Sequence, residues 1–288
     1  MNAMPAVRAN TDRRRLDGGA GAFDIRDYLD NRAILFAGTA NSIMQLSWPE
    51  IGYGVYESKV TSGSIMYHPW KRLRTTTTYL AVALLGTESE RAAYRQAVNG
   101  QHRQVRSGPD SPVAYNAFSR DLQLWVAACL YYGTVDVNER MHGPIPAAHR
   151  EPLYRYCARL GTTLQMRPDQ WPADTAAFAR YWQDGLERVS IDDTIRDYFH
   201  RLMNREFLPS WQRTGRRQAR TLTIGFLPPE FRAALQVEWS DSDQQHFDTV
   251  LAKAGARARR EPRAVRNAAF TAALTDLRAR RLLRRPLV

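Results

Sequence analysis

Cysteine is scarce in this 288-residue sequence, which contains only Cys129 and Cys157. Disulfide-stabilised secreted folds use cysteine far more densely, and cysteine metal sites repeat it at short, regular intervals. The two cysteines follow neither pattern, and each lies in an apolar segment with helical spacing. We therefore expect two buried free thiols.

Long apolar runs are also missing. No stretch approaches the roughly 20 consecutive apolar residues that a membrane-spanning helix requires. The first residues, MNAMPAVRANTDRRRL, lack the apolar centre of a secretory signal. From these two features we expect a cytoplasmic protein.

Motifs of several common enzyme classes are absent as well. The sequence has no His-Glu-x-x-His or Cys-x-x-Cys spacing, and it lacks the paired Glu-x-x-His motifs of di-iron helix bundles. No glycine-rich phosphate loop follows a strand, and no Gly-x-Ser-x-Gly elbow occurs. These absences argue against a directly bound metal, a nucleotide-binding enzyme and a hydrolase.

Positive charge, in contrast, is abundant. The net charge is +12, from 41 Lys and Arg residues, nearly all Arg, against 29 Asp and Glu. Such a balance is compatible with nucleic acid, anionic lipid or acidic substrates. The excess is concentrated in residues 13–15, 213–220 and 257–285, and no zinc finger or recognition-helix pattern accompanies it. We expect solvated tails and faces, and no specific nucleic-acid partner.

Apolar residues recur at helical spacing through most of the sequence, whereas stretches that alternate as in strands are short. Helices are predicted over residues 30–46, 69–85, 87–105, 119–133, 144–161, 175–189 and 191–207, near 221, and from 230, 240 and 262 onward. There is no βαβ order and no repeat. We predict an all-α fold, with a single large helical domain over residues 23–288 after a disordered or loose arm, residues 1–22.

The stretch from Lys71 to Gly108 joins two of these helices and carries polar residues beside apolar ones. In the first helix Arg72 and Thr76, four positions apart, share a face next to an apolar stripe. In the second helix His102 occupies a position where the spacing predicts an apolar side chain. The boundary between the two helices has the form of a capping box.

Each of these polar residues has two interpretations. His102 is either a core histidine with one hydrogen bond or a ligand, and neutral imidazole is the usual proximal ligand of haem iron. One protein histidine is enough for haem, because the macrocycle supplies four nitrogens. Arg72 and Thr76 are either solvent-exposed or a charged fork and a hydroxyl that hold dioxygen, a haem propionate or an acidic substrate.

Four segments stand in a distinctive order: RLRTTTTYLAVALLGT, VNGQHRQVRSG, YNAFSRDLQLWVAACLYYG and TLTIGFLPPEFRAAL. In this order they resemble the superfamily of the latex-clearing rubber oxygenases and the fungal mycophenolate-pathway oxygenase MpaB. The resemblance runs from about Asn31 to the C-terminal region. It implies an all-helical fold that, in the rubber oxygenases, binds one b-type haem and uses dioxygen to cleave carbon-carbon double bonds.

The resemblance also assigns residues. His102 matches the proximal haem histidine of the family, and Arg72 and Thr76 match the arginine and threonine of the distal side. Thr75 stands where rubber oxygenases can carry a distal lysine. The catalytic carboxylate of the family has no assigned counterpart, although Glu57 lies in the corresponding part of the sequence.

The expected function is therefore a haem b-dependent oxygenase that uses dioxygen as co-substrate on an apolar or aromatic small molecule. His102 is the expected iron ligand, and Arg72 and Thr76 are the expected catalytic and cofactor-binding residues. Two alternatives stay open, a peroxidase-like enzyme of the same fold and a non-enzymatic haem- or lipid-binding protein. The Arg-rich C-terminus, RARRLLRRPLV, is a candidate for peripheral contact with an anionic membrane, and a solvated surface helix or an assembly contact is the alternative. The substrate and the oligomeric state are left open.

Overall fold

The computed structural model of the protein describes residues 22–288. Within this range the chain is helical and forms no β-strand, only one isolated bridge between Arg106 and Asn116, which confirms the predicted all-α fold. No helix in the same range is both long and apolar enough to cross a membrane. The predicted N-terminal arm lies outside the described residues, apart from its last residue, Ala22.

The α-helices are, in chain order, α1 (Asn31–Leu46), α2 (Pro49–Tyr56), α3 (Pro69–Leu85), α4 (Glu88–His102), α5 (Arg120–His142), α6 (Ala147–Cys157), α7 (Arg159–Thr162), α8 (Thr175–Glu187), α9 (Asp193–Met203), α10 (Arg216–Phe226), α11 (Pro229–Ala234), α12 (Asp241–Arg260), α13 (Arg263–Arg266) and α14 (Ala268–Leu282). Single 3-10 turns lie at Ile25–Tyr28, Thr61–Gly63, Pro168–Gln170 and Ser210–Gln212.

Side-chain caps begin several helices where the sequence predicts them. The Thr87 hydroxyl and the Glu90 carboxylate each accept a backbone N–H of the other residue, which forms the predicted capping box of α4. Ser119 caps α5, and Ser240 with Asp243 forms the capping box of α12. These side chains satisfy N–H groups that have no partner within the helix.

Three of the predicted helix ends are wrong, and one of them is that of α9, which ends at Met203 and not at Phe207. Helix α4 ends at His102, so Val105 lies beyond the helix and not on its apolar side. Helix α5 does not stop at Gly133 but continues to His142. The glycine does not end the helix, because its role is steric: a side chain at this position would collide with the amide of Asn41. The absence of a side chain at Gly133 lets α1 and α5 pack closely.

Two further predicted helices are divided in the structure. Residues 144–161 form α6 and the short α7, and Gly161 lies inside α7 instead of ending a longer helix. The last predicted helix, from Pro262, is divided at Asn267 into α13 and α14. Local periodicity does not register such breaks, because the apolar spacing continues across them.

Helices α1 and α5 form the centre of the fold. Helix α1 packs against α5, α10 and α2, and α5 also contacts α12 and α7. Helix α3 pairs closely with the C-terminal helix α14. This pair is antiparallel, because Arg74 near the start of α3 lies 3.6 Å from Asp276, whereas Leu85 at its end lines a cavity with Asn267 at the start of α14.

A column of stacked rings joins helices in the core. The Trp48 and Trp125 rings lie 4.5 Å apart between centroids, Trp125 and Trp182 lie 5.1 Å apart, and Trp182 and Tyr132 lie 4.4 Å apart. The Arg188 guanidinium covers the outer face of Trp48, 3.4 Å from its ring centre. The column therefore connects the α1–α2 junction with α5 and α8.

Trp125 occupies the middle of this column. It is fully buried, and its indole N–H donates to the Met44 carbonyl at 3.2 Å. Gly185 of α8 approaches the ring so closely that any side chain there would overlap it. The surrounding helices have little freedom to close over a cavity at this position.

We predict that Trp125→Ala lowers the free energy of unfolding by about 3–5 kcal/mol, because it removes a fully buried ring and leaves a cavity. Trp211→Ala is the matched control, because that ring is 75% exposed, and it should change stability by less than about 0.5 kcal/mol. Equilibrium unfolding in urea measures both. Equal losses in the two variants would show that the column does not stabilise the fold.

Glu90 connects the start of α4 to α14. Its carboxylate accepts the backbone N–H of Thr87 at 2.8 Å and Nε of Arg278 at 2.7 Å, and the residue is buried. The hydrogen bond from Arg278 is the main cause that holds the pKa of the Glu90 carboxyl below its ordinary value. The ionised carboxylate therefore stabilises the folded chain.

Glu90→Gln should lower the free energy of unfolding at pH 7 by about 1–3 kcal/mol, since it removes charge-assisted hydrogen bonds of a buried group. The folded-state pKa lies below the unfolded one, so this stabilisation is complete above the unfolded pKa and is lost as the pH falls through the folded pKa. The difference between wild type and variant should therefore shrink in acid. The exposed neighbour Glu88→Gln is the control, and a pH-independent difference would contradict the assignment.

Candidate functional site

His102 is the last residue of α4 and lies half-buried. Its ring meets Phe118 edge-on, with centroids 6.2 Å apart. The Nδ1 atom is buried and has no hydrogen-bond partner. Burial, and secondarily the positive charge of Arg72, lowers the pKa of His102 to about 4. The imidazole is therefore neutral at pH 7, and its Nδ1 is not satisfied by the protein.

The position of His102 is fixed by the docking of α4. One helix face is tied to α3, because the Tyr94 hydroxyl donates to the Thr75 carbonyl at 2.7 Å. A second connection joins α4 to the end of α7, where Arg95 donates to the carbonyls of Thr162 and Thr163 at 2.8 and 3.1 Å. The middle of α4 is thus held between two neighbouring segments, and His102 follows it by two turns.

Arg72 lies on α3 near this histidine. Its side chain is exposed, and its positive charge lowers the pKa values of His102, Tyr94 and Tyr198. A charge acts on a neighbouring group in this way only over a short distance, so the fold brings the guanidinium and the imidazole into one region. Tyr198, which lies on α9, joins the same group.

Thr76 and Thr75 differ in what their hydroxyls offer. Thr76 is half-buried and follows Arg72 by one turn of α3. The hydroxyl of Thr75 donates back to the carbonyls of Lys71 and Arg72, each at 3.1 Å. Thr75 is therefore occupied by its own helix, and it does not replace the distal lysine as a donor.

A second group of residues comes from the segment after His102. The chain folds back on itself there, with Ser107 N–H donating to the Tyr115 carbonyl at 2.9 Å. The Tyr115 hydroxyl then donates to Oε2 of Glu57, just beyond α2, at 2.9 Å. Gly54 lies flat against the Tyr115 ring, with no side chain to displace it.

The surroundings of Tyr115 also disfavour its ionised form. Burial first, and then the hydrogen bond and the charge of Glu57, raise the pKa of Tyr115 to about 12. Tyr56, next to Glu57, meets Tyr198 edge-on with centroids 6.0 Å apart. Tyr198 thus contacts Tyr56 and also lies within reach of the charge of Arg72.

Sequence reasoning missed Tyr115 and Tyr198. Tyr115 belongs to the segment YNAFSRD, but its partner Glu57 is 58 positions away, and no spacing rule connects them. Tyr198 follows the apolar spacing of its helix, which is typical of a core residue. One feature of the sequence does point to this region. The run GYGVYE ends at Glu57, and its two glycines and two tyrosines indicate a close approach of rings.

The side chains that could bind a metal or a cofactor are few among the described residues. Residues 22–288 contain no group of three or more His, Cys, Asp or Glu placed to hold a metal ion. His102 is a single neutral imidazole, which is the donor that a haem iron takes from its protein. Both cysteines are buried free thiols, as predicted, and burial raises the pKa of Cys157 to about 12.

Comparison with known proteins identifies the family of the chain. Residues 25–260 match the family described as ER-bound oxygenase mpaB/B'/Rubber oxygenase, catalytic domain. The uncharacterized proteins Mb2261 of Mycobacterium bovis and Rv2237 of Mycobacterium tuberculosis are each 50% identical to the chain over 214 residues, which cover 74% of this chain and 84% of the relative. No solved structure matches the chain significantly. Because the family match covers most of its length, the chain belongs to the mpaB and rubber oxygenase catalytic-domain family.

Proposed function

We propose that this protein is a haem b-dependent oxygenase that uses dioxygen as co-substrate and acts on an apolar or aromatic small molecule. Membership of the family supports a general oxygenase role. The observation that carries the haem assignment is His102, a neutral imidazole at a helix end whose buried Nδ1 has no protein partner. A histidine with this environment fits an iron ligand better than a satisfied core residue.

His102 would hold the iron as proximal ligand. Because its pKa lies near 4, no proton has to leave before the ring coordinates a metal at neutral pH. The edge of Phe118 restricts the rotation of the ring. When bound, haem supplies the binding and activation of dioxygen, which no side chain of the protein can provide.

Arg72 and Thr76 are the proposed residues of the oxygen side. The Arg72 guanidinium offers several donors in a fixed fork, and Thr76 adds a hydroxyl one turn later. Donors placed in advance stabilise negative charge that develops during the reaction, and they need no reorganisation at that moment. The closeness of Arg72 to His102 supports this role.

Glu57 is the proposed proton acceptor for the substrate. Tyr115 donates to one of its carboxylate oxygens and so fixes the orientation of the carboxylate. The rings of Tyr53, Tyr56 and Tyr198 pack in sequence beside it. Such aromatic surroundings favour an apolar or aromatic substrate over a charged one.

The first test is the absorption spectrum of protein expressed with a supply of haem. Wild type should show a Soret band that shifts on reduction and on addition of carbon monoxide, and His102→Ala should lose or alter it, because the iron loses its proximal ligand. His246→Ala is the control, because this histidine is exposed on α12. A colourless wild type would contradict haem binding, and an unchanged His102→Ala spectrum would remove this residue as ligand.

Activity assays then separate the alternatives. Turnover of an alkene or phenol with dioxygen supports the oxygenase. Turnover with peroxide alone indicates a peroxidase-like enzyme, and a coloured protein without any turnover indicates a haem carrier.

The second test concerns Arg72. Arg72→Ala should keep the Soret band but lower the rate of dioxygen-dependent turnover by about 10- to 100-fold, since one preorganised donor is lost. Arg72→Lys keeps the charge without the fork and should fall between the two. Lys71→Ala, one position away, is the control for a general loss of charge. Dioxygen consumption that is unchanged in Arg72→Ala would exclude this residue from the oxygen side.

A further inference from the structure

Bulky apolar side chains are exposed in two segments that are far apart in sequence. Tyr67, Trp70 and Leu73 protrude around the start of α3, with Trp70 64% exposed. Leu282 and Leu283 protrude at the end of α14, with Leu282 84% exposed. Exposed aromatic and leucine side chains in groups are unusual on a protein surface that faces only water.

The antiparallel pairing of α3 and α14 brings these segments together. Arg74, one turn after Trp70, donates to the carbonyl of Leu287 at 3.4 Å. The last residues fold back over the end of α14, where the Arg285 N–H donates to the Arg280 carbonyl at 2.8 Å. The start of α3 and the end of α14 therefore form one end of the helix pair.

The same end of the pair is positively charged. Lys71, Arg281, Arg284 and Arg285 lie among the exposed apolar residues, and residues 58–87 and 277–288 contain no Asp or Glu. The preceding carboxylate, Asp276, is neutralised by Arg280 at 2.7 Å and Arg74 at 3.6 Å. The docking surface consists of residues 281–285 together with Tyr67, Trp70, Lys71 and Leu73.

We infer that the docking surface binds the face of an anionic phospholipid bilayer. Its cations would meet the lipid phosphates, whereas the tryptophan, tyrosine and leucine side chains would enter the boundary between headgroups and acyl chains. Nucleic acid would use the charge and leave the leucines in water. An acidic protein would pair with the cations, but the exposed tryptophan and tyrosine are the side chains typical of a membrane interface.

This surface extends the contact expected of the Arg-rich C-terminus alone. Two of the five arginines of that segment are engaged within the protein, since Arg278 pairs with Glu90 and Arg280 with Asp276. The arginines left for lipid are the last ones, and α3 supplies the apolar residues that they lack. Two segments are thus needed to make one amphipathic surface.

The docking surface adjoins the candidate site. Arg72 lies between Trp70 and Leu73 in α3, and its charge reaches His102. An apolar substrate dissolved in the bilayer would therefore meet the site at the membrane face, without crossing water. This consequence rests on the proposed oxygenase function, whereas lipid binding itself does not.

Vesicle flotation of the full chain tests the inference. Wild type should float with vesicles of phosphatidylglycerol and phosphatidylcholine in equal parts and bind pure phosphatidylcholine far less. Arg281→Gln/Arg285→Gln should lower the partition onto the anionic vesicles roughly 30-fold, since each basic residue near such a surface contributes about 1 kcal/mol. Trp70→Ser/Leu73→Ser should abolish the binding that survives high salt, because it removes the inserted side chains.

Matched variants elsewhere decide whether the effect is local. Arg180→Gln/Arg260→Gln and Val265→Ser remove exposed charge and an exposed apolar side chain away from the docking surface, and both should bind like wild type. Arg13→Gln/Arg14→Gln/Arg15→Gln tests the basic cluster near the N-terminus. Binding that is lost in this last variant but kept in the docking-surface variants would overturn the inference.

Two other outcomes would also overturn it. Wild type that fails to float with anionic vesicles has no such surface. A lipid-free dimer that dissociates in Trp70→Ser/Leu73→Ser shows that a second copy of the chain covers this face. Flotation requires neither haem nor turnover, so its failure is distinguishable from a failure of the oxygenase proposal, which the absorption spectrum reports.

Discussion

The docking of α4 against α3 is the constraint on which the candidate site depends. A histidine at the last residue of a helix keeps a defined position only if that helix cannot slide or fray. The hydrogen bond from Tyr94 to the Thr75 carbonyl fixes the middle of α4, and Glu90 fixes its start through the capping box and Arg278. With both points held, the half-buried ring of His102 stays neutral next to the charge of Arg72.

The parts of the site that lie close in sequence were predictable, and the parts that depend on distant contacts were not. Arg72 and His102 fall in one stretch, and the capping box between them marks the helix boundary, so their shared region follows from local rules. Tyr115 and Glu57 meet only because the chain turns back after His102. The same distinction explains the fold: caps were found correctly, whereas the passage of α5 through Gly133 depends on a contact with α1.

The charge of the protein has two different uses, which composition alone could not separate. Several arginines hold segments together by donating to carbonyl oxygens, as Arg95 does to Thr162 and Thr163 and Arg159 does to Ala83 and Gly86. These side chains are structural, because carbonyls at helix ends need partners. The remaining excess belongs to termini and exposed faces. A net charge of +12 therefore overstates the positive charge available to a partner.

Site and surface are connected through α3. On one side of this helix the Thr75 carbonyl accepts a hydrogen bond from the Tyr94 hydroxyl. At its start the Trp70 and Leu73 side chains are exposed to solvent. Arg72 lies between these two environments. Its side chain is exposed, yet its charge contributes to lowering the pKa of the half-buried His102 imidazole. Anything that settles on the exposed start of α3 would therefore change the solvation of Arg72, and with it the electrostatic environment of His102.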